Sequence, residues 1–390
     1  MQTTITIGQP TQTIFGQGAA DQLATQLQKA EHNDIFILVD PGIIDLISPL
    51  IDELKAQNLH ITTTHDITPE PSYDAINLLV TQSQDQPCDC VVGIGGGSTL
   101  DAAKLVAVLH TGKQSLTDII GTDQVTARDP GLILLPTTSG TGSEVSPIAV
   151  VTDVDANLKK GVVSPFMYAD LAIIDPLLTK NLPPHITAAT GMDALTHCIE
   201  AVTNKFNHGI GDAYALAGIK IITQHIERAV NNGSKDLEAR EAMSLGSMFG
   251  GRVLGTPACA GVHALAYPLG GLFHIPHGVS NSLLLPYVLA FNMPACTDRT
   301  ALIGRAMGLT AKDDQTLATK TVDHVRELST ACGIPASLQD FDIPETAIEP
   351  MAVAALEVQR LLKNNPRPIE LEDARMIYTQ AWQASSVTTV

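Results

Sequence analysis

The chain has 390 residues, and 23 Lys and Arg against 41 Asp and Glu leave a formal charge of −18. At 44% hydrophobic it is too apolar for a disordered chain, and its length suits two domains at ~100–200 residues each. The acidic balance argues against a nucleic-acid partner, whose phosphates need a basic face. Six scattered cysteines make no disulfide framework, which fits a reducing cytoplasm. No apolar run reaches the ~18 residues of a membrane span. The opening MQTTITIGQP has neither a basic nor an apolar leader segment, so a cytoplasmic protein with no membrane partner is expected.

Up to about residue 180, short β-branched or aliphatic runs recur at Ile35–Val39, His60–Thr64, Cys90–Ile94, Leu132–Leu135, Ile148–Thr152 and Leu171–Ile174. Helical patterns lie between several of them, at Ala19–Gln28, Ser48–Ala56, Ala75–Gln82 and Leu100–Leu109. This alternation predicts βαβ units around a mainly parallel sheet. After Asp175-Pro176 the chain turns to long Ala- and Leu-rich helical stretches: Ala188–Thr203, Asp212–Asn231, Leu237–Leu254 and Asp314–Ala331. The expected organisation is an α/β domain over 1–180 and an all-helical domain over 181–390. The terminal ASSVTTV is expected to fray.

Two segments of the first half could cradle phosphate. In CVVGIGGGSTLDAAKLVAVL (residues 90–109) an apolar strand enters Gly95-Gly96-Gly97-Ser98 and a helix follows at once. Consecutive glycines let the backbone approach a ligand, and the helix N-terminus attracts an anion. A tight βα turn with Ser98 as N-cap reads equally well, and Asp101 then lies in the first helical turn. PTTSGTGS (residues 136–143) follows another strand and offers the hydroxyls of Thr137, Thr138, Ser139, Thr141 and Ser143. The alternative there is a capping box from Thr141 to Glu144. Asp40, at the end of Ile35–Val39, can accept from ribose hydroxyls and would repel a 2′-phosphate, favouring NAD over NADP; otherwise it starts the turn at Pro41-Gly42.

The second half carries a different chemistry. Asp193 and His197, four apart in GMDALTHCIEA, share one helix face. His263, His274 and His277 follow within an almost uncharged apolar stretch, GVHALAYPLGGLFHIPHGVSNSLLL. His263 reads as helical, and His277, between Pro276 and Gly278, as a loop residue. One Asp with three His suits Fe2+ or Zn2+ better than Mg2+ or Ca2+. The cysteines read as core packing.

Taken together, GIGGGSTLDAAK, PTTSGTGSEVS, GMDALTHCIEA, HALAYPLGGLFHIPHG and NPRPIELEDARMIYTQAW resemble the iron-containing (group III) alcohol dehydrogenase family, in order and over essentially the whole chain. The resemblance implies a dehydroquinate synthase-like architecture, an α/β dinucleotide-binding domain followed by an all-α metal-binding domain, with NAD and Fe2+ as cofactors and Zn2+ as the alternative metal. It puts the metal ligands on Asp193, His197, His263 and His277. It puts cofactor contacts on Asp40, Gly96, Gly97, Ser98, Asp101, Thr137, Thr138 and Lys159. Homodimers or larger homo-oligomers are usual in the family. Many members carry a second His one turn after the third ligand as a proton relay; here Tyr267 stands in its place. Tyr267, or His274, is the candidate for that role.

The expected reaction is hydride transfer between NAD(H) and a small alcohol or aldehyde. One alternative is a dehydrogenase of a small hydroxyacid. Another is a lyase like dehydroquinate synthase, but no Lys or Arg lies between Arg252 and Arg299 to hold an acid phosphate. A non-catalytic nucleotide-binding protein would not need the candidate ligands.

Overall fold

A computed structural model describes residues 4–154 and 158–384, so all but the first residue of the ASSVTTV segment (384–390) expected to fray lies outside the described residues. The chain divides into two compact units, Ile7–Asn181 and Leu182–Val390, the latter joined by the segment that ends at Thr6.

The described residues of the first unit hold nine strands: β1 (Gln12–Phe15), β2 (Asp34–Val39), β3 (His60–Thr64), β4 (Cys90–Gly95), β5 (Gly121–Thr122), β6 (Gly131–Pro136), β7 (Ile148–Asp153), β8 (Leu158–Val163) and β9 (Leu171–Ile174). Its main helices are α1 (Leu23–Lys29), α2 (Ile44–Ala56), α3 (Tyr73–Gln84) and α4 (Gly97–Leu109). Six strands form one sheet in the order β1-β9-β6-β4-β2-β3, every pair parallel. The central strands are apolar on both faces because helices cover both. Ile35, Ile37 and Val39 face a core with Leu23, Leu27, Ile51 and Leu54. Phe36 and Leu38 face the opposite core with Ile76, Leu79, Leu100 and Val106. The chain leaves β2 toward β3 on one side and reaches β4 on the other, so the strand order reverses at β2. In such sheets the crevice at the carboxyl ends of the strands beside the reversal is the ligand position.

Two expectations need correction here. Ile148–Thr152 does not join the main sheet; β7 pairs antiparallel with β8 in a separate three-stranded sheet that includes β5. β8 was not legible as a strand because Lys159 and Lys160 break its apolar run. The pattern at Ala19–Gln28 also divides, into a 3-10 turn at Ala19–Gln22 and α1.

The second unit contains α5 (Pro184–Thr203), α6 (Gly209–Asn232), α7 (Leu237–Arg252), α8 (Gly261–Phe273), α9 (His277–Asn292), α10 (Thr297–Ala306), α11 (Asp314–Ala331), α12 (Ile348–Leu356), α13 (Gln359–Leu362) and α14 (Leu371–Gln383). Pro184 at the first position of α5 is pre-set for helix. From Thr187 to Thr203 almost every α5 residue is buried, against α6, α7 and α9. His277 is not a loop residue: it is the first residue of α9, behind Pro276 as N-cap. Gly278 permits that placement, since a Cβ there would lie 2.2 Å from Ala189 O of α5. Among the described residues no helix is long and apolar enough to cross a membrane.

Candidate metal centre and nucleotide loops

Three helices of the second unit converge on one point. α5 contributes Asp193, His197 and Glu200 at i, i+4 and i+7, a single face. α8 contributes His263, and the first turn of α9 contributes His277. The Nε2 atoms of His197, His263 and His277 lie 3.8, 3.7 and 3.8 Å from Asp193 Oδ1. Donors about 2.0–2.2 Å from a tetrahedral ion stand about 3.3–3.6 Å apart. A contraction of a few tenths of an ångström would therefore close this set on one cation.

The surroundings fit an ion. His263 Nδ1 lies 2.6 Å from Glu200 Oε2, and a carboxylate acceptor there puts the proton on Nδ1 and leaves the lone pair on Nε2. That Nε2 is buried and has no hydrogen-bond partner. Glu200 also accepts from Ala260 N at 2.9 Å and Val262 N at 2.6 Å, which fixes the start of α8. Asn281 Nδ2 donates to Asp193 Oδ1 at 2.7 Å and lies 3.1 Å from His277 Nε2. Burial alone would raise the Asp193 carboxyl; the three imidazoles and the Asn281 amide outweigh it and hold it below its ordinary value. Glu200 and Asn281 have no role in the sequence reading, although Glu200 continues the Asp193–His197 face by three residues.

Cys259 departs from the expected core packing. It is buried in the segment before α8, and its Sγ belongs with donor atoms of His197 and His263 to a group lying within 4.8 Å of one another. Burial alone would raise this thiol, but His263 and His197 beside it bring it to about 7. By contrast burial pushes Cys198 up to about 12.

Of the two relay candidates, His274 is exposed and ends α8 in the left-handed conformation, φ 55°. Tyr267, one turn after His263, is buried with its ring centroid 6.3 Å from that of His277. Burial raises its hydroxyl above the ordinary 10.0, partly offset by Arg360, which donates to it, and by His263. The local sequence stretch has no cation; the fold brings one from α13.

In the first unit, α4 begins at Gly97 with Gly96 as N-cap, two residues ahead of the Ser98 cap, and no side chain caps it. A Cβ on Gly97 would lie 2.6 Å from Thr141 Cγ2, and one on Gly96 3.4 Å from Thr138 Cγ2, so the two loops abut. A Cβ on Gly95 would lie 2.9 Å from Asp40 Cβ. Thr137 N donates to Gly95 O at 3.0 Å. Asp40, Gly96, Gly97, Ser98, Thr137 and Thr138 thus gather at the ends of β2, β4 and β6. Asp40 Oδ1 accepts from Gly42 N at 2.8 Å, the turn role, while its position also faces the loops.

Asp101 is an internal brace rather than a first-turn residue of α4. It accepts from Ser143 Oγ and, at 2.9 Å, from Val150 N. The fully buried Lys104 donates to Ser143 Oγ at 2.7 Å and Ile148 O at 2.8 Å, with Asp101 Oδ1 3.6 Å away. The Thr141–Glu144 capping box does not form; Thr141 Oγ1 accepts from Ser143 N at 3.3 Å, with Gly142 left-handed at φ 58°. Lys159 Nζ is 2.5 Å from Glu70 Oε1, and Glu70 N donates to Ser98 Oγ at 3.1 Å. Glu70 and Lys104 tie the loops together; no sequence pattern marks Glu70, while Lys104 ends the GIGGGSTLDAAK motif without a role of its own in it.

The candidate metal centre and the abutting glycine loops fit an enzyme that uses a metal and a nucleotide. Comparison with known proteins sharpens this. Residues 10–176 match the family described as "Iron-containing alcohol dehydrogenase", and residues 187–382 match "Fe-containing alcohol dehydrogenase family, C-terminal". The chain is 40% identical over 379 residues to long-chain-alcohol dehydrogenase 1 of Geobacillus thermodenitrificans, covering 95% of each. It is 30% identical to the NAD-dependent methanol dehydrogenase of Bacillus methanolicus, covering 95% of this chain and 98% of that one. A crystal structure of 1,3-propanediol oxidoreductase superposes with a TM-score of 0.94 at 30% identity, covering 97% of this chain and 100% of that one. The chain belongs to the iron-containing alcohol dehydrogenase family. It is an oxidoreductase with the dehydroquinate synthase-like fold, and the lyase alternative is not favoured.

Proposed function

We propose that this enzyme transfers a hydride between NAD(H) and a small alcohol or its aldehyde, with Asp193, His197, His263 and His277 holding Fe2+. The observation that carries the reading is the placing of three imidazole Nε2 atoms at 3.7–3.8 Å around one carboxylate oxygen. When bound, the cation supplies Lewis acidity toward the substrate oxygen and the dinucleotide carries the hydride.

This chain's residues prepare both. Glu200 keeps the His263 proton on Nδ1, and Asn281 orients Asp193. The Tyr267 hydroxyl, protonated at neutral pH, is a hydrogen-bond donor beside the ligands, and we assign the proton-handling role to it rather than to the exposed His274. The uncapped N-terminus of α4, with Gly96, Gly97 and Ser98, offers amides to a pyrophosphate. Thr137 and Thr138 offer polar contacts, and Asp101 with Lys104 keeps their loop in place. Asp40 favours NAD over NADP by repelling a 2′-phosphate; the NAD dependence in the name of the Bacillus methanolicus relative agrees. Lys159, held by Glu70, serves the ribose side of the same loops.

The domains act as 1–180 for the dinucleotide and 181–390 for the metal. Six free cysteines suit a cytoplasmic setting. The family likeness supports a homodimer or larger homo-oligomer, which light scattering on the purified protein tests.

The direct experiment follows NADH absorbance with alcohols from short to long, diols and hydroxyacids, with NAD and NADP, after reconstitution with Fe2+ or Zn2+. Fe2+- and NAD-dependent oxidation of simple alcohols is expected. Preference for NADP would remove the Asp40 argument, and full activity in Asp193→Ala or His263→Ala would remove the metal centre. Preference for hydroxyacids would move the substrate class to the alternative.

A further inference from the structure

Cys259 is the donor that the proposed reaction leaves unused. The described residues contain two overlapping groups of candidate ligands whose donor atoms lie within 4.8 Å of one another: Asp193, His263 and His277, and His197, Cys259 and His263. His263 belongs to both.

The segment that carries Cys259 is held by side chains from remote elements. Asn364 Nδ2 donates to Cys259 O at 2.8 Å. Asn204 Nδ2 donates to Pro257 O and Ala258 O, each at 3.0 Å. Glu200 accepts from Ala260 N, the next residue. Ala258 is left-handed at φ 74°, a conformation that costs an alanine free energy and persists only where the surroundings impose it. On the imidazole side, His197 Nδ1 and His263 Nε2 are both buried without a hydrogen-bond partner. The two rings stack with centroids 4.8 Å apart. These are open nitrogen donors beside a thiol in a segment that cannot easily move away.

Ligand softness decides what such a group takes. A carboxylate with imidazoles suits Fe2+ or Zn2+, whereas a thiolate with imidazoles selects the thiophilic cation. We propose that Cys259, with His197 and His263, forms a second binding mode of this centre, a thiolate–imidazole site for a thiophilic divalent cation such as Zn2+. His263 has one open nitrogen, Nε2, and it serves both modes, so the modes exclude each other, and Zn2+ held by Cys259 draws the centre away from Asp193 and His277. Binding in this mode releases the thiol proton to solvent. The inference rests on the proposed metal centre for two of its three ligands.

The test titrates the full-length, metal-free protein with Co2+, a spectroscopic substitute for Zn2+, and separately with Fe2+. Wild type is expected to show a thiolate-to-Co2+ charge-transfer band in the ultraviolet, absent from both Cys259→Ser and Cys259→Ala. Zn2+ affinity should fall ~10-fold or more in these variants while Fe2+ affinity changes little. His277→Ala should lose Fe2+ binding and keep the band. Thermal unfolding of the two cysteine variants establishes that each is folded. A wild-type Co2+ spectrum without the band, or Zn2+ affinity unchanged in a folded Cys259 variant, overturns the second mode. If Fe2+ still binds in that case, the proposed function stands; if Fe2+ fails to bind wild type, the first mode is the one that fails.

Discussion

Glu200 has no part in the proposed reaction, yet its hydrogen bonds hold His263 and the start of α8 in the candidate centre. Its carboxylate accepts three hydrogen bonds, from His263 Nδ1, Ala260 N and Val262 N. In Glu200→Gln one acceptor oxygen becomes an NH2 group, which opposes the backbone donors and loosens the tautomer of His263. Fe2+ affinity should fall ~10–100-fold, as is usual when a ligand loses its outer partner; calorimetric titration of the metal-free protein reads it directly. Tyr267 makes a prediction of opposite character. Burial keeps its hydroxyl above the ordinary 10.0, so the group does not titrate near neutrality. Tyr267→Phe should lower turnover while leaving the shape of the pH–rate profile between about pH 6 and 9 unchanged. Unchanged turnover would take Tyr267 off the proton path, and a displaced neutral limb would show that a titrating partner acts through it. At this scale the candidates Asp193, His197, His263, His274 and His277 stood out as unusual polar residues in apolar sequence, and the family resemblance singled out His277 over His274. Arg360 and Cys259 were not legible, because nothing in a linear stretch shows which distant or non-helical residue will lie against Tyr267 or an imidazole.

Among the elements, α4 carries the most information. Its sequence GSTLDAAKLVAVL is buried along nearly its whole length, and the internal Asp101–Lys104 pair braces the Pro136–Ser143 loop. Its C-terminal end bears His110, whose Nδ1 lies 3.1 Å from Ser83 Oγ of α3. Burial lowers the His110 pKa from 6.5, with Asp129 opposing the shift. Below pH 6.5 the unfolded chain therefore binds the proton first, and stability is lost as pH falls from 6.5 toward the lowered folded value. Urea unfolding at pH 7 and pH 5 should show a smaller drop in midpoint for His110→Gln than for wild type. A drop of equal size would mean that this imidazole contributes nothing to the acid sensitivity. Elements with strong periodicity, such as α11 and β9, were read with their observed bounds. β1 and β8 escaped, β1 because four residues at a sheet edge carry little pattern, β8 because charged residues interrupt it. The sequence points to a loop at His277 because Pro276 signals a break, whereas proline just before a helix also prepares its start.

For the molecule as a whole, every candidate metal donor lies in Leu182–Val390 and every candidate dinucleotide-loop residue in Ile7–Asn181. A ligand present at ~100 times its Kd stabilises the state that binds it by about 2.7 kcal/mol. Calorimetry of the intact chain should therefore show chelation of Fe2+ lowering the transition of the helical unit, and NAD raising that of the α/β unit. Equal displacement of both by either ligand would show that the two units unfold as one. The formal charge of −18 enters this behaviour only through solubility and remoteness from nucleic acid.

The amino-acid order alone determined the α/β-then-helical division, the glycine loops and the Asp193–His197 pair as candidate ligands. Each is a local pattern: an alternation of periods, a run of small residues, a pair one helical turn apart. The tertiary structure alone decided that Glu200 sets the His263 tautomer, that Glu70 links Ser98 to Lys159, and that Arg360 reaches Tyr267. It also decided that Cys259 stands beside His197 and His263. Those relations join residues from separate elements, and their distances depend on how helices and strands pack, which short-range spacing does not encode.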